Sequence, residues 1–260
     1  MPRAGPMDEL LRLSGVGKRQ RRGEGSVTVL ADVSLAVAER EIGAVVGSPG
    51  SGKTTLLEIA AGMVCPDGGG VCFGGVELNT LSRRERERLL GREIAWTDRQ
   101  PPRLPWSIRD HVGLPLATGR GHGSRELREL AGEALERLGV HGGARRRWVE
   151  LSDWEQVLVG FARVAVCRPR LALIDGLFDG LGRHKTQQAG DLLRDLVDEL
   201  GCSVLISASD LQNVLVAERV WELERRGRLR LLADRTTGGG TVVEFPASAA
   251  RGGGGHGAGA

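Results

Sequence analysis

The chain has 260 residues, 40% hydrophobic and 27% charged, with a formal charge of +3, which fits one large globular domain, alone or with a subdomain. So mild a charge, with 3% aromatic residues and no Tyr, argues against a nucleic-acid partner, which needs a basic face or stacking platforms. No apolar run reaches the roughly 18–20 residues that cross a bilayer, and Asp8 and Glu9 stand where a signal peptide would be apolar, so any membrane part is expected from another chain.

Val27–Leu35 alternates and predicts a strand, and Ile42–Val46 is a short apolar run of the buried-strand kind. Thr54–Ala61 carries Leu56, Leu57, Ile59 and Ala60 at helical spacing, with Gly62 as its stop. Cys65–Leu78 sets turn residues around a short strand and predicts a hairpin. Ser82–Arg92 predicts a charged helix opened by a capping box, Ser82 with Glu85. Ser124–Leu138 predicts a helix whose apolar side is Leu127, Leu130, Ala134 and Leu138, ended by Gly139. Ser152 with Glu155 forms a second capping box, for a helix over Asp153–Val166. A strand at Leu171–Ile174, a helix at His184–Leu200 and a strand at Val204–Ser207 complete an alternation that predicts an α/β fold with a mainly parallel sheet. Residues 233–250 read as a C-terminal extension, and the glycine-rich tail Arg251–Ala260 is expected to be disordered.

The most specific signal joins the second strand to the first helix. Gly47, Ser48, Pro49, Gly50, Ser51, Gly52, Lys53 and Thr54, followed by Thr55, fit the G-x-x-x-x-G-K-[ST] phosphate loop in its required strand–loop–helix setting. Gly50 and Gly52 let the backbone curl so that its N–H groups face phosphate oxygens, and the helix start adds its positive dipole end. Lys53 is suited to the β- and γ-phosphates, and the Thr54 hydroxyl to Mg²⁺. Lys53 is one of only three lysines, with Lys18 and Lys185, so it is not there through abundance. ATP and Mg²⁺ are the expected ligands.

Beyond that loop, GSVTVLADVSL (25–35), GVELNTLSRRERERLLGREIAW (75–96) and LPWSIRDHVGLPL (104–116) resemble ABC transporter ATPases, in the branch serving macrolide and lipoprotein export and FtsE-like division proteins. The resemblance spans most of residues 9–228. It implies a P-loop NTPase core with an N-terminal antiparallel β portion, an ABC-type nucleotide-binding domain over 8–232, and an inserted helical subdomain at about 98–165. It also implies a second ATPase chain, in a homodimer or heterodimer, and a membrane permease as partners, with the protein peripheral at the cytoplasmic face of the membrane. Asp175, closing Leu171–Asp175, resembles the Walker B aspartate and would join Thr54 in holding Mg²⁺.

Other family positions depart from the pattern. Gly176 stands where the family has its catalytic glutamate, Ser209 where it has the switch histidine, and Gly182 where it has the D-loop aspartate. Arg99 aligns with the Q-loop glutamine, with Gln100 one residue out of register, and Gln20 lies near the position of the aromatic that stacks on adenine. Leu151, Ser152, Asp153, Trp154 and Glu155 replace a Leu-Ser-Gly-Gly-Gln type signature. Asp153 puts a carboxylate, and Trp154 bulk, where the family presents bare backbone to the opposite chain's γ-phosphate. Losing a general base costs about 10²–10⁴ in rate, so the expectation is an ATP-binding subunit with weak or absent hydrolysis. The alternative is a fully active ATPase powering export of a lipid, lipoprotein or drug-like substrate. A small-molecule kinase, another P-loop class, is disfavoured by Val149–Gly182.

The remaining residues carry bland expectations. Cys65, Cys72, Cys167 and Cys202 form no C-x-x-C pair and read as buried reduced thiols. Trp96, Trp106, Trp148 and Trp221 read as core or interface, Arg145–Arg147 as a solvated face, and the five histidines lack metal-ligand spacing.

Overall fold

The computed structural model describes residues 9–23, 25–102, 106–119, 123–142, 145–236 and 241–242; the glycine-rich tail lies outside them. Two sheets are present. The first is antiparallel, with strand order β2-β1-β4-β5, from β1 (Glu9–Arg22), β2 (Gly25–Ala38), β4 (Gly68–Phe73) and β5 (Val76–Glu77). The last two strands are the hairpin expected at Cys65–Leu78.

The second sheet has seven strands, ordered β11-β10-β9-β3-β8-β7-β6. Its parallel part comprises β3 (Ile42–Val46), β6 (Ile94–Asp98), β7 (Leu171–Asp175), β8 (Ser203–Ala208) and β9 (Arg219–Leu223). Two antiparallel strands, β10 (Leu229–Asp234) and β11 (Thr241–Val242), close one edge. Register brings the carboxyl ends of the parallel strands together: Val46 pairs with Ala208, and Asp175 with both Asp98 and Ser207. In open α/β sheets that edge is where ligands bind.

Both faces of this sheet are covered, which explains why β3 is apolar throughout and buried at every position. Val45, Leu173 and Leu205 pack with α1 (Lys53–Ala60) and the antiparallel sheet. Ala44, Ile174 and Ile206 face the other way, against α5 (Asp153–Cys167) and α6 (Arg183–Leu200). A third core, around Ile108, Ala131, Leu135, Trp148 and Leu158, joins α5 to α3 (Ile108–Gly119) and α4 (Ser124–Arg137). The charged helix α2 (Arg83–Arg92) has its capping box, Ser82 with Glu85.

Three expectations need correction. The buried line of α4 is Ala131 and Leu135, while Leu127, Leu130, Ala134 and Leu138 only flank it. The reason is a close approach of α3, where a Cβ on Gly113 would lie 3.1 Å from the Leu127 carbonyl oxygen and 3.7 Å from Ala131 Cβ. Cys65 is exposed and Cys72 half-buried, leaving Cys167 and Cys202 as buried thiols. Arg146 is not merely solvated: it pairs with Glu155 and donates to the Glu150 carbonyl. Trp148 and Trp221 are buried.

Candidate nucleotide site

The loop after β3 is held in a curled shape. Gly47 N–H donates to the Ala208 carbonyl at 3.2 Å, and Ser51 N–H to the Ser48 carbonyl at 3.1 Å. Gly50 and Gly52 have φ of +77° and +106°, a region that disfavours side chains. A Cβ on Gly52 would lie 2.9 Å from Val29 Cγ1 and 3.1 Å from the Val29 carbonyl oxygen, so glycine is also required by close packing on β2. Gly52 caps α1 without a side-chain acceptor, and no acidic residue occupies the first turn. The amides of that turn are therefore left to an anion.

Lys53 Nζ donates to the carbonyls of Gly47 at 2.6 Å and Ser48 at 3.2 Å. Burial lowers its pKa from the ordinary lysine value, while the charges of Asp179 and Asp175 work in the opposite direction. Thr54 Oγ1 donates to Asp175 Oδ2 at 2.7 Å, and the buried Ser207 hydroxyl donates to Asp175 Oδ1 at 2.5 Å. A hydroxyl and a carboxylate in contact are hard oxygen donors that suit Mg²⁺. Among the described residues there is no group of three or more His, Cys, Asp or Glu that could hold a metal ion. The Thr55 hydroxyl accepts from Gln20 Nε2 at 3.4 Å, which places Gln20 beside the start of α1.

The departures gather around the same edge. Gly176 follows β7 with φ of +59°, and its N–H donates to Ser207 Oγ at 3.0 Å. Ser209, just beyond β8, gives both its N–H and its hydroxyl to Asp179 Oδ1, at 2.8 and 2.9 Å. Gly182 caps α6. Arg99, one residue past β6, donates to the Asp179 carbonyl and, at 2.6 Å, to Asp153 Oδ1. Gln100 uses its N–H on Asp98 Oδ1 at 3.0 Å.

The segment Leu151–Glu155 is electrostatically compensated. Ser152 and Glu155 form the expected capping box on α5. Glu155 pairs with Arg146, whose hydrogen bond, with the Ser152 N–H, lowers its pKa to about 2. Lys185 Nζ lies 4.3 Å from the centre of the Trp154 ring, a cation–π contact that fixes the indole. Sequence reading missed Asp179. Its only local signal is a second Asp-Gly pair four residues after Asp175-Gly176.

A glycine-curled loop between β3 and α1, a lysine inside it and a carboxylate at the end of a neighbouring strand define a P-loop nucleotide-binding protein. The ABC transporter family model matches residues 30–178. The lipoprotein-releasing system ATP-binding protein LolD of Cereibacter sphaeroides is 37% identical over 221 residues, 84% of this chain and 98% of its own. The ATP-binding cassette MJ0796, solved as a dimer in a post-hydrolysis state with ADP and Pi, is similar with a TM-score of 0.75 and 26% identity, over 85% of this chain and 98% of that one. CbiO1 of Clostridium perfringens, part of the ABC transporter complex cbiONQ, shares the fold with a TM-score of 0.71 and 23% identity, over 86% and 88% of the two chains. The chain belongs to the ABC transporter family of ATP-binding proteins.

Proposed function

We propose that this chain is the nucleotide-binding subunit of an ABC transporter complex, taking ATP with Mg²⁺ at Gly47–Thr55 and turning it over slowly. The observation that carries the reading is the Thr54–Asp175 contact at 2.7 Å beside a loop that already encloses the Lys53 ammonium. An incoming triphosphate would draw Lys53 off the Gly47 and Ser48 carbonyls, while the first-turn amides of α1 receive its oxygens. Thr54 and Asp175 would hold Mg²⁺, which when bound neutralises phosphate charge and polarises the γ-phosphoryl group.

Slow turnover follows from the residues around the γ-phosphate position. Gly176 has no proton acceptor, and Ser209 offers a hydroxyl that does not titrate near neutral pH. Two such chains would build two equally altered sites. Pairing with an intact ATPase chain would instead give one site with the partner's full machinery facing Leu151–Glu155.

Among the described residues no helix is long and apolar enough to cross a membrane. A separate permease is part of the reading through kinship with transporter ATP-binding subunits, with the chain peripheral at the cytoplasmic face. The groove between α3 and α4, lined by Trp106, Asp110, Gly113, Leu114 and Leu127, is a shallow, partly apolar seat suited to a permease loop. Kinship with a lipoprotein-releasing subunit makes a lipid-bearing cargo the first class to assay.

The test is Mg²⁺-ATP hydrolysis by the purified chain and by its Lys53→Ala variant. Turnover at least tenfold below an intact relative, yet above Lys53→Ala, is expected. Turnover equal to the relative's would support the alternative of a fully active exporter ATPase.

A further inference from the structure

We propose that Asp179 serves as the water-activating carboxylate of this site, in place of a side chain at Gly176. The inference rests on the nucleotide-binding reading above and deepens it.

The loop leaving β7 turns back at once. Gly176 adopts a left-handed φ of +59°, and Asp179 N–H closes the turn on the Gly176 carbonyl at 3.2 Å. Leu177 and Phe178, between them, are fully buried and anchor the turn. Its result is that a Cβ built on Gly176 would lie 3.3 Å from Asp179 Oδ2. The carboxylate of residue 179 thus borders the space into which a side chain at 176 would grow.

That carboxylate is also fixed. Oδ1 accepts from Ser209 N–H, Ser209 Oγ and, at 3.4 Å, Asn213 Nδ2. Arg99 holds the same residue from the backbone side through its carbonyl. No described residue donates a hydrogen bond to Oδ2, so this oxygen keeps acceptor capacity.

As the water oxygen bonds to the γ-phosphorus, its proton passes to Asp179 Oδ2. The bond from the γ-phosphorus to the bridging oxygen breaks with its electron pair on ADP, and inorganic phosphate leaves. Ser209, at the position of the family's switch histidine, orients the base by holding Oδ1.

A purely structural role, tying the β7–α6 loop to Ser209, makes a different forecast for asparagine, which is isosteric and keeps an acceptor for Ser209. The experiment measures kcat and ATP affinity separately for the full chain, Asp179→Asn and Lys53→Ala, with thermal melting to establish folding. Asp179→Asn is expected to lose at least tenfold in kcat while ATP affinity is kept or tightened, because one anionic charge near the triphosphate is gone. If that variant does not fold, Asp179→Ser, which removes the charge and keeps a short hydroxyl, is read the same way. Wild-type kcat in the folded variant overturns the proposal. Wild-type turnover no higher than that of Lys53→Ala overturns it too, while ATP binding by the same protein would leave the nucleotide-binding reading standing.

Discussion

Arg99 Nη2 donates to Asp153 Oδ1 at 2.6 Å, tying the end of β6 to the first turn of α5 across 54 positions of sequence. The same guanidinium reaches the Asp179 carbonyl, so one residue joins the start of α5, the β7–α6 loop and the sheet edge. The Asp153 carboxylate is therefore paired rather than bare.

The Arg99–Asp153 pair is short but open on one side, with the Asp153 side chain 68% exposed. Exposed ion pairs contribute about 0.2–1 kcal/mol. A double-mutant cycle of Arg99→Ala and Asp153→Ala, read by urea denaturation, is expected to give a coupling energy in that range, falling as salt is raised. A coupling of several kcal/mol would mean the pair is a buried strut.

Restoring the family glutamate is not expected to restore the site. Gly176→Glu would place a side chain at φ of +59° and against Asp179, costing about 1–2 kcal/mol from backbone conformation alone. The variant should melt at a lower temperature than the parent and hydrolyse ATP no faster. A rise in turnover without loss of stability would show that the loop accommodates a side chain freely.

Glu155 has a defined pH signature. Arg146 and the Ser152 N–H lower its folded-state pKa from 4.5 to about 2. A lowered carboxylate pKa stabilises the fold fully above the ordinary value. The contribution shrinks as pH falls through the window from 4.5 to 2 and is gone below it. Glu155→Gln should therefore have a lower urea midpoint than the parent at pH 7, and the gap should narrow steadily below pH 4.5. A gap independent of pH would place the loss in packing instead.

His111 runs the opposite way. Its ring is buried edge-on to Trp148, neither nitrogen has a hydrogen-bond partner among the described residues, and burial lowers its pKa from 6.5 to about 4. The folded state favours the neutral ring, so protonation of the unfolded chain draws stability away as pH falls from 6.5 to 4. The His111 ring resonances are expected to titrate near pH 4, and His111→Phe should lose that part of the acid sensitivity. A midpoint near 6.5 would mean that water reaches the ring.

What was legible in the sequence was local. The phosphate loop announces itself because strand, glycines, lysine and helix are contiguous. Both capping boxes were readable because their partners are three residues apart, and glycine stops at Gly62 and Gly139 mark real helix ends, with φ of +70° and +82°. The α4 face was misjudged because its centre is set by the approach of Gly113 from another helix, not by which residues are largest. Asp179 with Ser209, 30 positions apart, and Arg99 with Asp153 meet only after the parallel strands align. Family comparison could mark Gly176 as a loss, but only the fold brings a carboxylate back beside it.

Whether the curled loop at Gly47–Thr54 receives a triphosphate is settled by isothermal calorimetry with ATP and Mg²⁺. One ATP bound per chain is expected, with an affinity at least tenfold weaker in Lys53→Ala. Ligand at a hundredfold excess over Kd should stabilise the protein by about 2.7 kcal/mol. No heat of binding and an unchanged melting temperature in the parent protein would contradict it.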